Sequence, residues 1–120
     1  MIKKEHERKK MDLRELRELS SGDEQFFHDM IRTFIRTMRE GLVLMRQAME
    51  QSDWNSVADH AHKMRGPCSH LGMEDLWEIL NTIEENITAF SDRKEVPALV
   101  SRAEMEAELV IKLLQEETKV

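Results

Sequence analysis

Apolar residues recur every three or four positions along most of this chain, the spacing that lines up one face of an α-helix. The longest such pattern begins at Phe27 and continues to Met49. Its members are Phe27, Met30, Ile31, Phe34, Ile35, Met38, Leu42, Met45 and Met49. An apolar face of about seven turns predicts one long helix that ends near Gln51.

Three more segments repeat this spacing, and a shorter one precedes the long helix. The third helix is predicted from Trp54, Val57, Ala61, Met64, Cys68 and Leu71. The fourth is predicted from Leu76, Ile79, Leu80, Ile83, Ile87 and Phe90, and the fifth from Leu99, Val100, Ala103, Ala107, Val110, Leu113 and Leu114. The short first helix, over 11–19, carries Leu13, Leu16 and Leu19. The prediction is an all-α fold, an antiparallel four-helix bundle with a short additional N-terminal helix.

Capping residues indicate where these helices begin and end. Ser21 followed by Glu24 resembles a capping box that opens the long helix. The third helix is capped by Ser52 or Asp53, two alternatives that the sequence leaves open. Two further boundaries are predicted from special residues, a C-cap or pivot at Gly72 and a first helical turn at Pro97.

Composition supports the helical prediction and sets the domain organisation. The chain has 120 residues, enough for one ordinary domain, and only four glycines and two prolines. A β-sandwich or barrel would need far more turn residues. Residues 1–10 carry five basic and two acidic side chains and show no periodicity, so they are interpreted as a basic extension or linker, with the helical bundle in 11–120.

Several classes of protein are excluded by simple features of the chain. No run of 18 apolar residues exists, and no apolar stretch follows the charged start, so neither a membrane span nor a secretory signal is expected. The single cysteine, Cys68, cannot form an internal disulfide, and the cytoplasm is the expected compartment. The net charge of -6 argues against nucleic-acid binding.

One segment, residues 61–72, does not follow from bundle formation. Gly66 in a helix interior costs about 1 kcal/mol relative to alanine, and Pro67 about 3 kcal/mol. The same segment lies within fourteen consecutive residues, 60–73, that contain no Asp or Glu. Locally unfavourable residues in a well-patterned helix indicate a functional site.

The chemistry of this segment centres on His62. It lies off the apolar stripe, and Arg65 and Gly66 follow at i+3 and i+4, over the same patch of helix surface. Glycine leaves room for another surface or a phosphoryl group, and Arg65 with Lys63 supplies positive charge. An accessible imidazole, neutral at cytoplasmic pH, suits a nucleophile that takes up an anionic group. The alternative is an ordinary solvated histidine.

This stretch resembles the histidine-containing phosphotransfer (HPt) family. The resemblance is carried by His62-Lys63-Met64-Arg65-Gly66 and by Leu71-Gly72-Met73-Glu74-Asp75-Leu76, and extends over about residues 12–115. It implies that His62 exchanges a phosphoryl group with the aspartate of a response-regulator receiver domain. Arg65 stands where the family usually has lysine, and Pro67 and Cys68 stand where Ser or Ala is commoner; Cys68, on the apolar stripe, is expected to be a core residue.

The resemblance also implies roles for further residues. Glu84, 22 residues after the histidine, would accept a hydrogen bond from Nδ1–H and leave Nε2 free to attack; the alternative is a solvated glutamate. Arg65, with Lys63, would offset charge on the phosphoryl oxygens. The domain would need no cofactor of its own and have no autonomous kinase activity, since the receiver carries the Mg²⁺. Whether the chain is a free protein or the end of a hybrid sensor kinase stays open.

Candidate partner-binding residues come from the antiparallel arrangement of the second and third helices. It would place Arg39 and Val43 at the level of His62, and Ser69 is included in the same predicted surface. The alternative for Arg39 is a solvated charged face. We expect a monomer that binds receiver domains and contacts neither nucleic acid nor membrane.

Three other functions compete with phosphotransfer. In the phosphoacceptor and dimerisation helices of a sensor kinase, an acid commonly follows the histidine and Pro stands five residues after it; Pro67 fits and Lys63 does not. A metal site is disfavoured because His60 and His62 point about 160° apart on a helix. A helical adaptor without chemistry would leave Gly66 unexplained.

Overall fold

The computed structural model describes residues 11–89 and 93–120, and every regular element in them is helical. The helices are α1 (Arg14–Ser20), α2 (Glu24–Glu50), α3 (Trp54–His70), α4 (Glu74–Thr88) and α5 (Val96–Thr118), with a 3₁₀ turn at Arg93–Glu95 before α5. The predicted basic extension 1–10 and Phe90 lie outside the described residues. The all-helical fold is confirmed.

Four long helices enclose the core. Helix α2 packs on α3, α3 on α4, α4 on α5, and α5 returns to α2, while the short α1 packs on α2. The predicted apolar stripes meet inside this ring, where the largest fully buried side chains include Phe27, Ile31, Met38, Met45, Leu76, Leu80, Ile83, Ile111 and Leu114. The polar faces are left on the outside, and the candidate histidine lies on one of them.

Helix α2 begins two residues later than the predicted capping box. Its N-cap is Asp23, whose side chain accepts a hydrogen bond from the backbone N–H of Phe26 at 3.0 Å. Ser21 instead ends α1 in the left-handed conformation, with φ of 49°. The prediction of Ser21 as the cap is wrong because Asp23 also has a capping side chain and lies directly before the first helical residue.

Replacing Asp23 with alanine should lower the free energy of unfolding by about 0.5–2 kcal/mol, since the N-terminal N–H groups of α2 lose their side-chain acceptor. Urea denaturation followed by circular dichroism measures this. Ser21→Ala is the matched comparison, because this side chain caps nothing in α2. A larger loss for Ser21→Ala than for Asp23→Ala would contradict the assignment.

Helices α3 and α4 form a tight hairpin. Asp53 caps α3 by accepting hydrogen bonds from the Ser56 backbone at 3.3 Å and hydroxyl at 2.8 Å. The helix runs through Pro67 to His70, and only residues 71–73 separate it from α4. Gly72 makes this turn possible: its φ is +65°, and an added Cβ would lie 3.0 Å from the backbone nitrogen of Asp12. The short turn places α3 and α4 side by side at the candidate site.

Candidate functional site

His62 lies on the outer face of α3. Its neighbours Ala61 and Met64 are buried in the core, whereas the His62 side chain is 60% exposed. This agrees with its position off the apolar stripe. A nucleophile at this place is open to a partner without any change in the packed core.

Glu84 of α4 reaches across the hairpin to the ring. Its two carboxylate oxygens lie 3.3 and 3.2 Å from Nδ1 of His62. The structure therefore brings together the two residues that the HPt resemblance paired. Because Glu84 approaches Nδ1, Nε2 is the ring nitrogen left for chemistry.

Arg65 lies beside the His62 ring, as its i+3 spacing predicted. Its Nη2 lies 2.7 Å from Nδ1 of His62 and 3.0 Å from Oε1 of Glu84, and Nη1 donates to Oδ1 of Asn81 at 2.5 Å. The guanidinium also lies over the Trp77 ring, 5.3 Å from its centroid. The side chain is only 20% exposed. Arg65 thus sits at the Nδ1 edge of the ring. Its contact with a phosphoryl group carried on Nε2 stays a prediction.

The buried part of Arg65 is incompletely satisfied. Its Nε is buried and has no hydrogen-bond partner among the described residues. An unsatisfied buried donor of this kind costs about 1–3 kcal/mol. The position of the guanidinium is therefore maintained by its other contacts, those to Asn81, Glu84 and the two rings.

Gly66 and Lys63 complete the outer face beside His62. Apart from its sequence neighbours and the backbone of its own helix, a Cβ added at Gly66 would meet no atom within 4 Å, so the surface there is open. Lys63 is 69% exposed, and its Nζ pairs with Asp59 at 3.0 Å. The hydrogen bond from the Lys63 ammonium holds the pKa of the Asp59 carboxyl below its ordinary value. Both cations of the site are thus paired with carboxylates, Lys63 with Asp59 and Arg65 with Glu84.

Pro67 gives Gly66 a second, purely structural role. The Cδ of a proline clashes with the Cβ of the preceding residue in helical conformation, and glycine removes that clash. The helix indeed continues through Pro67 to His70. The glycine at position 66 therefore has two explanations, room for a partner beside His62 and accommodation of Pro67 in the helix. A mutational test has to separate them.

The predicted partner-binding residues do not all lie near the histidine. Arg39 pairs with Glu108 of α5, with Nη2 3.2 Å from Oε1, and it lines a groove between α2 and α5 together with Val43. His62 instead lies at the seam of α3 and α4. An equal height along two antiparallel helices does not by itself bring residues together. Arg39 and Val43 project from the side of α2 that faces α5. Ser69 is exposed two turns beyond His62 on the same face of α3.

Two residues at the site, Asn81 and Trp77, were missed by the sequence analysis. Asn81 could have been predicted from the register of the hairpin that α3 and α4 form. His62 and Glu84 lie eleven residues before and after Met73, and Arg65 and Asn81 lie eight residues before and after it. Residues equally far from the turn of an antiparallel hairpin are at the same height, so the pairing of His62 with Glu84 also aligns Arg65 with Asn81.

Cys68 lies in the core, fully buried behind the site. Burial raises the pKa of its thiol to about 12. A thiolate is the reactive form of cysteine, so the folded protein should not react with a disulfide-exchange reagent at pH 8, and reaction should follow unfolding by urea. Absorbance of the released aromatic thiol measures this, and rapid reaction of one equivalent in the folded state would contradict the burial.

The comparisons with known proteins identify the family. The sequence model described as the Hpt domain matches residues 29–117, most of the chain. The chain therefore belongs to the Hpt domain family, and its function is histidine phosphotransfer in a phosphorelay, in which Hpt domains partner with receiver domains.

A solved structure supports the fold. The crystal structure of histidine-containing phosphotransfer protein B (HptB) from Pseudomonas aeruginosa PAO1 superposes with a TM-score of 0.82. It is 24% identical to this chain, and the alignment covers 92% of this chain and 95% of that one. No curated protein sequence matches the chain. Within residues 11–89 and 93–120, every helix is too short or too polar to serve as a membrane span.

Proposed function

We propose that His62 is the phosphoacceptor and that Nε2 is the reacting atom. The observation that carries this is the combination of an exposed ring on α3 with a carboxylate of α4 at 3.2 Å from Nδ1. When Nδ1 carries the proton and donates a hydrogen bond to Glu84, the lone pair is on Nε2, which faces away from the hairpin. A hydrogen bond to Glu84 thus corresponds to the tautomer in which Nε2 can attack.

The proposed step is the attack of Nε2 on the phosphorus of an aspartyl phosphate. The N–P bond forms as the P–O bond to the aspartate breaks, and the aspartate leaves as a carboxylate with the electron pair. The Nδ1 proton stays in the hydrogen bond to Glu84, which offsets the positive charge that the ring gains. The reverse reaction passes the group to another receiver. No ATP and no cofactor of this domain takes part, and the Mg²⁺ belongs to the receiver.

Positive charge at the site is supplied by two side chains in different ways. Lys63 is exposed and reaches the outer face once it leaves Asp59. Arg65 supplies its charge from the Nδ1 edge of the ring and reaches the phosphoryl oxygens only after leaving Asn81.

The surface proposed to receive the receiver domain is the outer face of α3 around His62, including Gly66 and Ser69. It continues into an apolar groove between α1, α2 and α3 that encloses about 450 Å³. Pro67, about 7.5 Å along the helix from His62 and about 140° around it, is part of its wall, so the groove borders a different side of α3 from the ring. Exposed apolar side chains of α1 and α2, Leu19 at 59% and Phe26 at 47%, line the rest together with Met30 and Phe34.

This groove explains why the apolar stripe of α1 is only partly buried. Leu16 packs into the core, whereas Leu19 is left at the surface. Apolar surface beside an accessible nucleophile favours a protein partner, because contact with a partner removes it from water. We propose that the domain acts as a cytoplasmic monomer; an obligate dimer in light scattering would favour the sensor-kinase alternative instead.

The test is to incubate the full chain with a receiver domain phosphorylated on its aspartate. Transfer to His62 should produce a phosphoryl group on this protein that acid removes and base does not, which is the behaviour of a phosphoramidate. Mass spectrometry of the base-treated protein locates the modified residue. Phosphorylation at a different residue, or none with any of a panel of receivers, would reject the assignment.

A further inference from the structure

Two side chains compete for the same nitrogen of His62. Nη2 of Arg65 lies 2.7 Å from Nδ1, and the carboxylate of Glu84 lies 3.2 Å from it. A guanidinium only donates hydrogen bonds and a carboxylate only accepts them. Nδ1 of a neutral imidazole therefore cannot bond to both at once, and each contact selects a different tautomer.

The two tautomers differ in their ability to react. A hydrogen bond from Arg65 requires the lone pair on Nδ1 and so places the proton on Nε2, which blocks attack by that atom. A hydrogen bond to Glu84 requires the proton on Nδ1 and frees the lone pair of Nε2. The contact from Arg65 is the shorter of the two, which favours the tautomer with the proton on Nε2.

Asn81 is the residue that keeps Arg65 in this place. Its Oδ1 accepts from Nη1 at 2.5 Å, on the side of the guanidinium away from His62. Glu84 lies beside the ring in either tautomer, and Trp77 supplies a flat surface rather than a directional bond. The buried Nε of Arg65 has no partner to add. Glu84 also binds Nη2, at 3.0 Å, but it contacts the ring as well, so the bond to Asn81 is the directional contact among these that restrains the guanidinium without touching Nδ1.

We propose that Asn81 is a positioning residue that retains Arg65 on Nδ1 and holds His62 in a resting tautomer until a partner arrives. When Arg65 leaves Asn81, the ring gives up its Nε2 proton to solvent and takes up a proton from solvent at Nδ1. The Nδ1–H group then donates a hydrogen bond to Glu84, and the lone pair on Nε2 makes that atom the nucleophile. The same movement lets the guanidinium approach the phosphoryl oxygens. This proposal rests on the proposed function of His62, but its first test does not.

The first test measures the tautomer directly in the unphosphorylated protein. Long-range ¹H–¹⁵N correlation spectra of the histidine ring, recorded at a pH where the signals no longer shift, distinguish a proton on Nδ1 from one on Nε2. In the wild type the Nε2–H form should predominate. Asn81→Ala should move the population towards Nδ1–H by about threefold to tenfold, the range that one hydrogen bond of ordinary net strength supplies.

Three variants serve as comparisons. Asn81→Asp keeps an acceptor for Nη1 and should retain the wild-type tautomer, an outcome that a merely structural role would not require. Asn55→Ala makes the same deletion in the first turn of α3, about 10 Å along the helix from His62, and should change nothing. Arg65→Ala removes the donor itself and should shift the tautomer at least as far as Asn81→Ala.

The second test measures the rate of transfer from a phosphorylated receiver. Asn81→Ala should accept the phosphoryl group about threefold to tenfold faster than the wild type, since it retains the cation and loses only the restraint. Arg65→Ala should be slower than the wild type despite its favourable tautomer, because it lacks the positive charge. The two variants thus separate the two effects of Arg65.

The proposal is overturned if the wild-type ring is mainly Nδ1–H, if Asn81→Ala leaves the tautomer unchanged, or if Asn81→Asp shifts it as far as Asn81→Ala. These outcomes are read without any receiver. A failure of His62 to accept phosphate would instead reject the proposed function, so the two failures are distinguishable.

Discussion

A His62→Gln variant should accept no phosphoryl group from a phosphorylated receiver, a loss of more than about 10³-fold in rate. The reaction needs a lone pair on a ring nitrogen, and the amide nitrogen of glutamine has none available for attack. The His62 side chain is 60% exposed and takes no part in the core, so the variant should unfold at the same urea concentration as the wild type. Acid-labile, base-stable phosphate on the protein is the measured quantity.

The matched control is His60→Gln, two residues earlier on the same helix and about 160° around it. This variant should accept phosphate at the wild-type rate, because its ring faces away from the seam of α3 and α4. If His62→Gln still became phosphorylated and His60→Gln did not, the acceptor would be His60 and the proposed function of Glu84 would have no basis.

Introducing glutamine at Gly66 should slow transfer by at least about 10²-fold while the bundle stays folded. Apart from its sequence neighbours and the backbone of its own helix, an added Cβ meets no atom within 4 Å, so no other part of the described fold occupies the space above Gly66. A receiver domain does need it, because its aspartyl phosphate has to come within bonding distance of Nε2, one helical turn away. Displacing reacting groups by about 1 Å can cost a factor of 10² in rate.

Pro67 has to be removed for this experiment to be decisive, since Gly66 also avoids a clash with the proline ring. The comparison is therefore Gly66→Gln with Pro67→Ala against Pro67→Ala alone, in transfer rate and in urea stability. Without the proline, replacing glycine in a helix should raise the free energy of unfolding by about 0.5–1 kcal/mol. Asn55→Gln places the same side chain elsewhere on α3 and should leave the rate unchanged. If Gly66→Gln with Pro67→Ala transferred at the same rate as Pro67→Ala alone, the role of Gly66 would be conformational and not functional.

The fold could be predicted from the sequence because its cause is local and repeated. Each long helix has an apolar stripe, and stripes of that width can be buried only against one another. Boundaries were less secure where two capping residues stood close together, as at Ser21 and Asp23. The choice between them depends on backbone dihedral angles, and the φ of 49° at Ser21 is not visible in composition or periodicity.

The candidate site could be predicted only in part. His62 and Gly66 are conspicuous because they depart from the helical pattern, and Glu84 came from a family resemblance. The direction in which Arg65 points depends on which neighbours surround it, and the sequence analysis assigned no role to Asn81 or Trp77. Arg39 was expected near His62 and instead pairs with Glu108 of α5. The height of a residue along a helix can be predicted from the sequence, but the side of the helix that faces a given neighbour follows from the packing of the whole bundle.

The three-residue connection between α3 and α4 has a consequence for how this protein can vary. Surface connections usually tolerate the gain or loss of a residue, since they lie outside the core. Here one inserted residue would rotate α4 by about 100° relative to its present alignment with α3, and the pairs of His62 with Glu84 and of Arg65 with Asn81 would separate together. The turn lies about 15 Å along α3 from the nucleophile. Its length of three residues nevertheless decides which side chains of α4 meet His62 and Arg65, so phosphotransfer at this site depends on it.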